Sequence, residues 1–385
     1  MAYQFKMPDR VILGENALSA SEAAMKALGT KALIVTGKNV TKSGVVKLLT
    51  DCLTGWGIAW ELFNDITGEP TVAMIAEGVK AYRKSGCDFL IGIGGGSPLD
   101  SVKAIAAMSV LGGKISDYMG KEIDGKFPPM ALIPTTAGTG SETTRFTIIT
   151  DTEKDVKMLL KGDALMPQLA VVDAAFTRTA PQNVVAATGM DALTHAVESY
   201  TSRKANPLAD LYALDAIKRI FAYLPAAYNG VDDEKAKEEM SVAAFLAGVC
   251  INNASVTLVH GMSRPIGALF HVPHGISNAM LITECLSFAM DGCYPRFAAM
   301  ARAVGAADTA TPDKEAAAAF LSALRDLTAK LGIPTLKGYG IDEDRYFSLI
   351  DKMAGDAMAS GSPSNTIKEL QKQDLVNIYH LLWTK

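Results

Sequence analysis

Phe89-Leu-Ile-Gly-Ile-Gly94-Gly95-Gly96-Ser97-Pro98-Leu99-Asp100 is an apolar run that stops on three glycines and restarts as a helix. The uncharged first half reads as a buried strand. Ser97 is placed to cap the following helix and Pro98 to lie in its first turn, where a missing N–H costs nothing. A turn of this kind lets a phosphate approach bare backbone and rest on the helix N-terminus; the competing reading is a tight turn with no ligand. The glycines do not follow the G-x-G-x-x-G spacing, so the turn alone does not decide between the two.

Working outward, Lys31 to Thr36, Trp60 to Asn64 and Asp88 to Ile93 read as strands, with helices over Val40 to Thr54 and Val72 to Lys84 between them. This alternation demands a mostly parallel α/β sheet. A strand over Met130 to Pro134 runs into the polar loop Thr135-Thr136-Ala137-Gly138-Thr139-Gly140-Ser141-Glu142-Thr143-Thr144. Its hydroxyls suit phosphate or ribose, and equally a solvated loop. Phe146 to Thr150 and Asp155 to Leu160 read as a short hairpin, and Leu169 to Val172 as the last strand. After Pro181 the strand signals vanish and Ala-rich helical patterns run through Ile378. We therefore expect an α/β domain over residues 1–180 and an all-α domain over 181–385, with the cleft between them as the natural site. The helix spanning Ala316 to Leu324 is expected only to pack.

The helical half carries a second signal. In Gly-Met-Asp191-Ala-Leu-Thr-His195 the i, i+4 spacing puts a carboxylate and an imidazole on one helix face. His260 and His274 would be ~21 Å apart on one straight helix. Pro265, Gly267, Pro273 and Gly275 lie in or beside that interval, so the chain can fold back and bring both rings to one ion. One carboxylate and three imidazoles suit Fe(II) or Zn(II) rather than calcium or magnesium. The alternative is four core or surface residues with no ion.

Taken together, Gly94 to Asp100, Pro134 to Thr144, Gly189 to Glu198 and Val259 to Asn278, in this order and spacing, resemble the iron-containing (group III) alcohol dehydrogenase family over essentially the whole chain. The resemblance implies an α/β N-terminal dinucleotide-binding domain plus an all-α C-terminal metal-binding domain, the dehydroquinate synthase-like architecture. It implies Fe2+, with Zn2+ as the alternative, NAD or NADP as hydride carrier, reversible reduction of a small aldehyde to a primary alcohol, and a homo-oligomer. It assigns the metal to Asp191, His195, His260 and His274. The cofactor falls to Gly37, Lys38, Gly94, Gly95, Gly96, Ser97, Asp100, Thr135, Thr136, Thr139, Ser141 and Thr144.

Two positions depart from the family pattern. NAD-preferring relatives commonly carry Asp where Gly37 stands; its absence leaves room for a 2′-phosphate that Lys38 can meet, although Gly37 is equally readable as a turn residue. Many members carry a second histidine where Arg264 stands, as a proton relay. A guanidinium stays protonated and cannot do this, but it can hold a carboxylate or sulfonate through paired hydrogen bonds. Arg264 thus points to an aldehyde with an anionic tail, such as sulfoacetaldehyde or succinic semialdehyde, unless it pairs with an internal acid. His271 is a rim residue or an alternative relay, Arg145 a second anion contact or half of an ion pair, and His380 a packing residue.

Composition bounds the rest. A net charge of -4 with interspersed signs gives no footprint for nucleic acid. No stretch approaches the ~20 apolar residues of a membrane span, and no leader-like segment opens the sequence, so a cytoplasmic protein is expected. Five cysteines without a CxxC pair predict reduced thiols. The rival readings are a general short-chain alcohol or diol dehydrogenase, a metal-dependent hydrolase, and a non-redox nucleotide- and metal-binding protein.

Overall fold

A computed structural model describes residues 2–154, 156–230 and 233–384. The chain divides into two compact units, Lys6–Ala180 and a second running from Pro181 onward that also takes in the first residues through Phe5.

The first unit is built on a six-stranded parallel sheet in the order β1-β8-β5-β4-β2-β3. Its strands are β1 (Arg10–Leu13), β2 (Lys31–Val35), β3 (Ala59–Phe63), β4 (Phe89–Gly94), β5 (Met130–Pro134) and β8 (Leu169–Val172). The hairpin is β6 (Phe146–Asp151) with β7 (Val156–Lys161), and the expected start at Asp155 lies outside the described residues. The helices are α1 (Ala17–Ala20), α2 (Glu22–Lys26), α3 (Lys38–Lys42), α4 (Val45–Gly55), α5 (Val72–Ser85) and α6 (Gly96–Leu111).

Every residue of β4 and β5 is buried, as a parallel sheet covered on both faces requires. Strand alternation then sorts the side chains. Leu33, Val35, Leu90 and Leu132 pack with Val102 and Ile105 of α6. Ala32, Ile34, Ile91 and Ile133 go to the opposite face, with Val45 and Leu49 of α4.

Three local readings are corrected. The helix expected over Val40 to Thr54 is two helices, because Gly44 at φ 87° breaks it. Ser97 is not the cap: Gly95 takes the extended cap conformation, so Ser97 lies within the first turn of α6. The four-residue β1, which closes the sheet beside β8, was not expected.

The second unit is helical: α7 (Gln182–Tyr200), α8 (Pro207–Asn229), α9 (Glu234–Asn253), α10 (Leu258–Phe270), α11 (His274–Ala289), α12 (Tyr294–Ala303), α13 (Asp313–Lys330), α14 (Glu343–Ala359) and α15 (Lys372–Trp383). Helix α7 is buried over its C-terminal half and packs against α8, α9 and α11. Pro265 does not turn the chain. It lies inside α10, and the reversal comes at His271–Pro273, with His271 in the left-handed region at φ 54°. Among the described residues no single helix is long and apolar enough to cross a membrane, and all five cysteines are free thiols.

Candidate metal centre and cofactor turn

Asp191 and His195 lie one turn apart on α7, His260 is the third residue of α10, and His274 opens α11. Gly275 brings α11 in: a Cβ there would lie 2.3 Å from the Ala187 carbonyl oxygen, so only glycine lets α11 start against the α7 backbone. The four ligand atoms lie within 4.8 Å of one another. From Asp191 Oδ1 the Nε2 atoms of His260 and His274 are each 3.6 Å away, and that of His195 3.8 Å. Bonds of ~2.1 Å in a tetrahedral site put ligand atoms ~3.4 Å apart, so each imidazole stands within a few tenths of an ångström of that spacing from the Asp191 carboxylate.

The electrostatics suit a cation. Asp191 is held well below the usual carboxylate range, because the three imidazoles beside it outweigh the effect of burial. Burial, helped by His260, His195 and Arg264, pushes His274 down, which keeps its lone pair available. The lone pairs also converge on a point already marked by a positive dipole: Asn278 Nδ2 donates to Asp191 Oδ1 at 2.7 Å and lies 3.2 Å from Nε2 of both His260 and His274. Its Oδ1 is buried with no hydrogen-bond partner. A set of one carboxylate and three imidazoles, with Asp191, His195 and His260 buried and His274 half-buried, fits a divalent transition metal.

Behind His260 stands Glu198, two turns past Asp191 on the same face of α7 and fully buried. It accepts from His260 Nδ1 at 2.6 Å, from the Val259 amide at 2.6 Å and from Thr257 Oγ1 at 2.7 Å. Burial alone would raise its pKa; the His260 and Thr257 donors hold it below the ordinary value instead.

In the α/β unit, Thr135 N–H donates to Gly94 O at 2.9 Å, so the glycine turn after β4 and the hydroxyl loop after β5 lie side by side at the C-terminal edge of the sheet. Thr136 Oγ1 is buried, has no partner and sits beside Gly95, where a ligand hydroxyl or phosphate would satisfy it. This fits a dinucleotide.

Asp100, Ser141 and Thr144 are also bonded within the protein. Asp100 accepts from Ser141 Oγ at 2.5 Å and from the Ile148 amide at 2.9 Å. Lys103, wholly buried, donates to Ser141 O and Oγ, Thr144 Oγ1 and Phe146 O. The side chains expected to face the cofactor thus form an internal network tying the loop to α6. A Cβ at Gly37 would lie 2.6 Å from the Ile66 carbonyl oxygen, so the glycine answers a close backbone approach, while Lys38 Nζ is 3.3 Å from Asp65.

Arg264 lies one turn past His260 on α10; Nη1 donates to Ser362 Oγ at 2.9 Å, and among the described residues no carboxylate pairs with it. Arg145 pairs with Asp163 at 2.6 Å. His271 is exposed at the end of α10, without a hydrogen bond to the four ligands, and His380 packs on Phe347. Glu198, Asn278 and Lys103 were not singled out from sequence. Their helical spacing to named residues, seven from Asp191, four from His274 and three from Asp100, was the available signal.

The family model for iron-containing alcohol dehydrogenase matches residues 8–174, and that for the C-terminal part of the same family matches residues 185–383. The chain belongs to the iron-containing alcohol dehydrogenase family. It is 34% identical over 391 residues to lactaldehyde reductase of Escherichia coli (strain K12), covering 100% of both chains. It is also 34% identical over 366 residues to choline dehydrogenase of Bacillus subtilis (strain 168), covering 94% of this chain and 91% of that one. A crystal structure of 1,3-propanediol oxidoreductase matches at a TM-score of 0.95 and 32% identity, over 99% of this chain and 100% of the other. Sulfoacetaldehyde reductase from Bifidobacterium kashiwanohense, in complex with NAD+, matches at 0.89 and 29% identity over 99% of each chain. Like other members of the iron-containing alcohol dehydrogenase family, the chain is an oxidoreductase of alcohols and aldehydes.

Proposed function

We propose that this protein reversibly reduces a small aldehyde with an anionic tail to the primary alcohol. The carrying observation is Arg264: a half-buried guanidinium within electrostatic reach of His274 and Glu198, with a hydrogen bond to the neutral Ser362 hydroxyl and, among the described residues, no carboxylate in hydrogen-bond contact. A half-buried guanidinium with unused donors is suited to meeting an anion that enters beside it. The structural likeness to a sulfoacetaldehyde reductase supports an anionic substrate.

Asp191, His195, His260 and His274 would hold iron, which would supply Lewis acidity toward a carbonyl oxygen, and a bound nicotinamide would supply the hydride. The residues supply the rest. Gly94, Gly95 and Gly96 leave backbone bare for the pyrophosphate, and Thr135, Thr136 and Thr139 present hydroxyls beside it. Arg264 fixes the far end of the substrate and, being permanently charged, leaves protonation of the product oxygen to water. Because Asp65 already matches Lys38, the charge expected to meet a 2′-phosphate is spoken for, and NAD is the carrier this end of the sheet favours.

The test loads the protein anaerobically with Fe(II) and follows NADH and NADPH oxidation with sulfoacetaldehyde, succinic semialdehyde and propanal. An anionic aldehyde should lead in kcat/KM. Arg264→Met should cost it about 10- to 100-fold through KM and leave propanal nearly unchanged, the range set by charge-assisted hydrogen bonds. Equal losses on all three would assign Arg264 to packing and make the protein a general short-chain alcohol dehydrogenase.

A further inference from the structure

Glu198 lies outside the ligand set, yet it is the most completely bonded carboxylate near it. Its two oxygens take three donors, all from the first turn of α10 or its cap: Oε1 receives the Val259 amide and the Thr257 hydroxyl, and Oε2 receives His260 Nδ1 alone. Two jobs meet in this side chain. Val259 N–H is one of the first amides of α10, which have no partner inside the helix, and a carboxylate there also answers the positive end of the helix dipole. The third bond reaches a ring whose other nitrogen is a ligand atom.

Imidazole has two nitrogens, and a neutral ring carries one hydrogen between them. A carboxylate can only accept, so an ionised Glu198 at 2.6 Å forces that hydrogen onto Nδ1 and leaves the Nε2 lone pair directed at Asp191, His195 and His274. The same bond fixes the ring about its remaining torsion. Glu198 shares a face of α7 with Asp191 and His195, and this gives the register: one helix supplies two ligands directly and fixes the orientation of a third on another helix.

We propose that Glu198 is the positioning residue of this metal centre: from α7 it sets the tautomer and orientation of His260, and so the affinity of the site for a divalent ion. The inference rests on the proposed function only in that an ion binds here; it holds whatever the substrate.

The test measures metal affinity rather than turnover. Metal-free wild-type protein, Glu198→Gln and Thr257→Val are titrated with Co(II), read by its visible ligand-field bands. Glu198→Gln keeps the shape but loses the charge and presents N–H groups to donors. It should weaken Co(II) binding by about 10- to 100-fold, the range seen when outer partners of metal-bound histidines are removed, and should shift the bands. Thr257→Val removes one bond to the same carboxylate without touching His260. It should lower the thermal midpoint of the metal-free protein but keep the Co(II) Kd within about twofold of wild type. Equal affinity in wild type and Glu198→Gln overturns the proposal, as does a loss in Thr257→Val matching that in Glu198→Gln.

Should Glu198→Gln fail to fold, the wild type decides. In the Zn(II)-loaded protein with 15N-labelled histidine, long-range 1H–15N spectra should show His260 protonated at Nδ1 with a strongly deshielded, slowly exchanging proton. A ring bound through Nδ1, or a freely exchanging Nδ1 proton, rejects the assignment. Failure of the functional reading is separate: wild-type protein that binds metal but reduces no aldehyde removes that reading and leaves the Co(II) comparison intact.

Discussion

At the scale of single residues, the α/β unit holds a carboxyl group whose burial sets a pH dependence. Glu142 is 2% exposed and its Oε2 has no partner, so burial pushes its pKa from 4.5 to about 7, against the opposing pull of a backbone amide and Lys103. The folded value lies above the unfolded one, so no penalty exists below pH 4.5, where both states hold the proton. As pH rises from 4.5 to 7 the unfolded chain releases its proton first and native stability falls; above 7 the cost is complete. Glu142→Gln should therefore gain on wild type by about 2 kcal/mol in unfolding free energy between pH 5 and pH 8. Urea unfolding of both proteins at the two pH values checks this, and a constant gap would mean that Glu142 is not carrying an unpaired charge. Sequence pointed to the residues around this one for a reason that is only partly structural. Thr136 and the glycines are legible because their types declare exposed backbone and hydroxyls. Asp100, Ser141 and Thr144 look identical in sequence, and only the wholly buried Lys103 turns them inward. A lysine on a helix ordinarily reads as solvent-facing, and its spacing of three residues from Asp100 was a weak signal against that reading.

At the scale of elements, that lysine joins α6 to the loop after β5 and to the start of β6. Its three N–H groups, shared among four acceptors, satisfy two carbonyls, and its charge offsets the half-buried Asp100, whose pKa is raised. Lys103→Met keeps the length of the side chain and strands the rest of the network. The expected loss is about 3–5 kcal/mol, the cost of leaving a buried charge without its partner. Weakened NADH binding should accompany it, because the hydroxyl loop loses its anchor to the helix that carries the glycine turn. A loss under about 1 kcal/mol in urea unfolding would show that the loop is held by its backbone alone. Elements with a strong period were readable in advance: β2, β4, β5, β8 and α5 fall within one or two residues of their expected bounds. The exceptions have local causes. At Gly44 a positive φ stops a helix whose apolar pattern continues. At Pro265 a helix continues through a residue that usually ends one. The reversal that brings His274 back is made instead by three residues, His271 in the left-handed region, Val272 and Pro273.

At the scale of the molecule, the two halves of the chemistry sit on different units. All four candidate metal ligands and Glu198 follow Pro181, whereas the glycine turn and the hydroxyl loop precede Ala180. The change from a parallel sheet to helices was legible in the sequence, because strand signals stop after Pro181. The division has a thermodynamic consequence. An ion that binds the native site but not the unfolded chain stabilises it by RT ln(1 + [L]/Kd), ~2.7 kcal/mol at a hundredfold excess over Kd. That free energy is linked to α7, α10 and α11, the helices that carry the four candidate ligands, with the Asn278 amide facing Asp191, His260 and His274. Removing metal with a chelator should therefore speed amide hydrogen exchange in α7, α10 and α11 by up to about a hundredfold, the exchange equivalent of that free energy. The amides of β2, β4 and β5 should be unmoved. Adding NADH to the chelated protein should do the converse, slowing exchange at Gly95–Ser97 and through residues 135–144 while leaving α10 and α11 as they were. If chelation instead speeds exchange evenly across the sheet and the helices, the ion is stabilising the whole chain as one cooperative block, and the assignment of its free energy to these three helices is wrong.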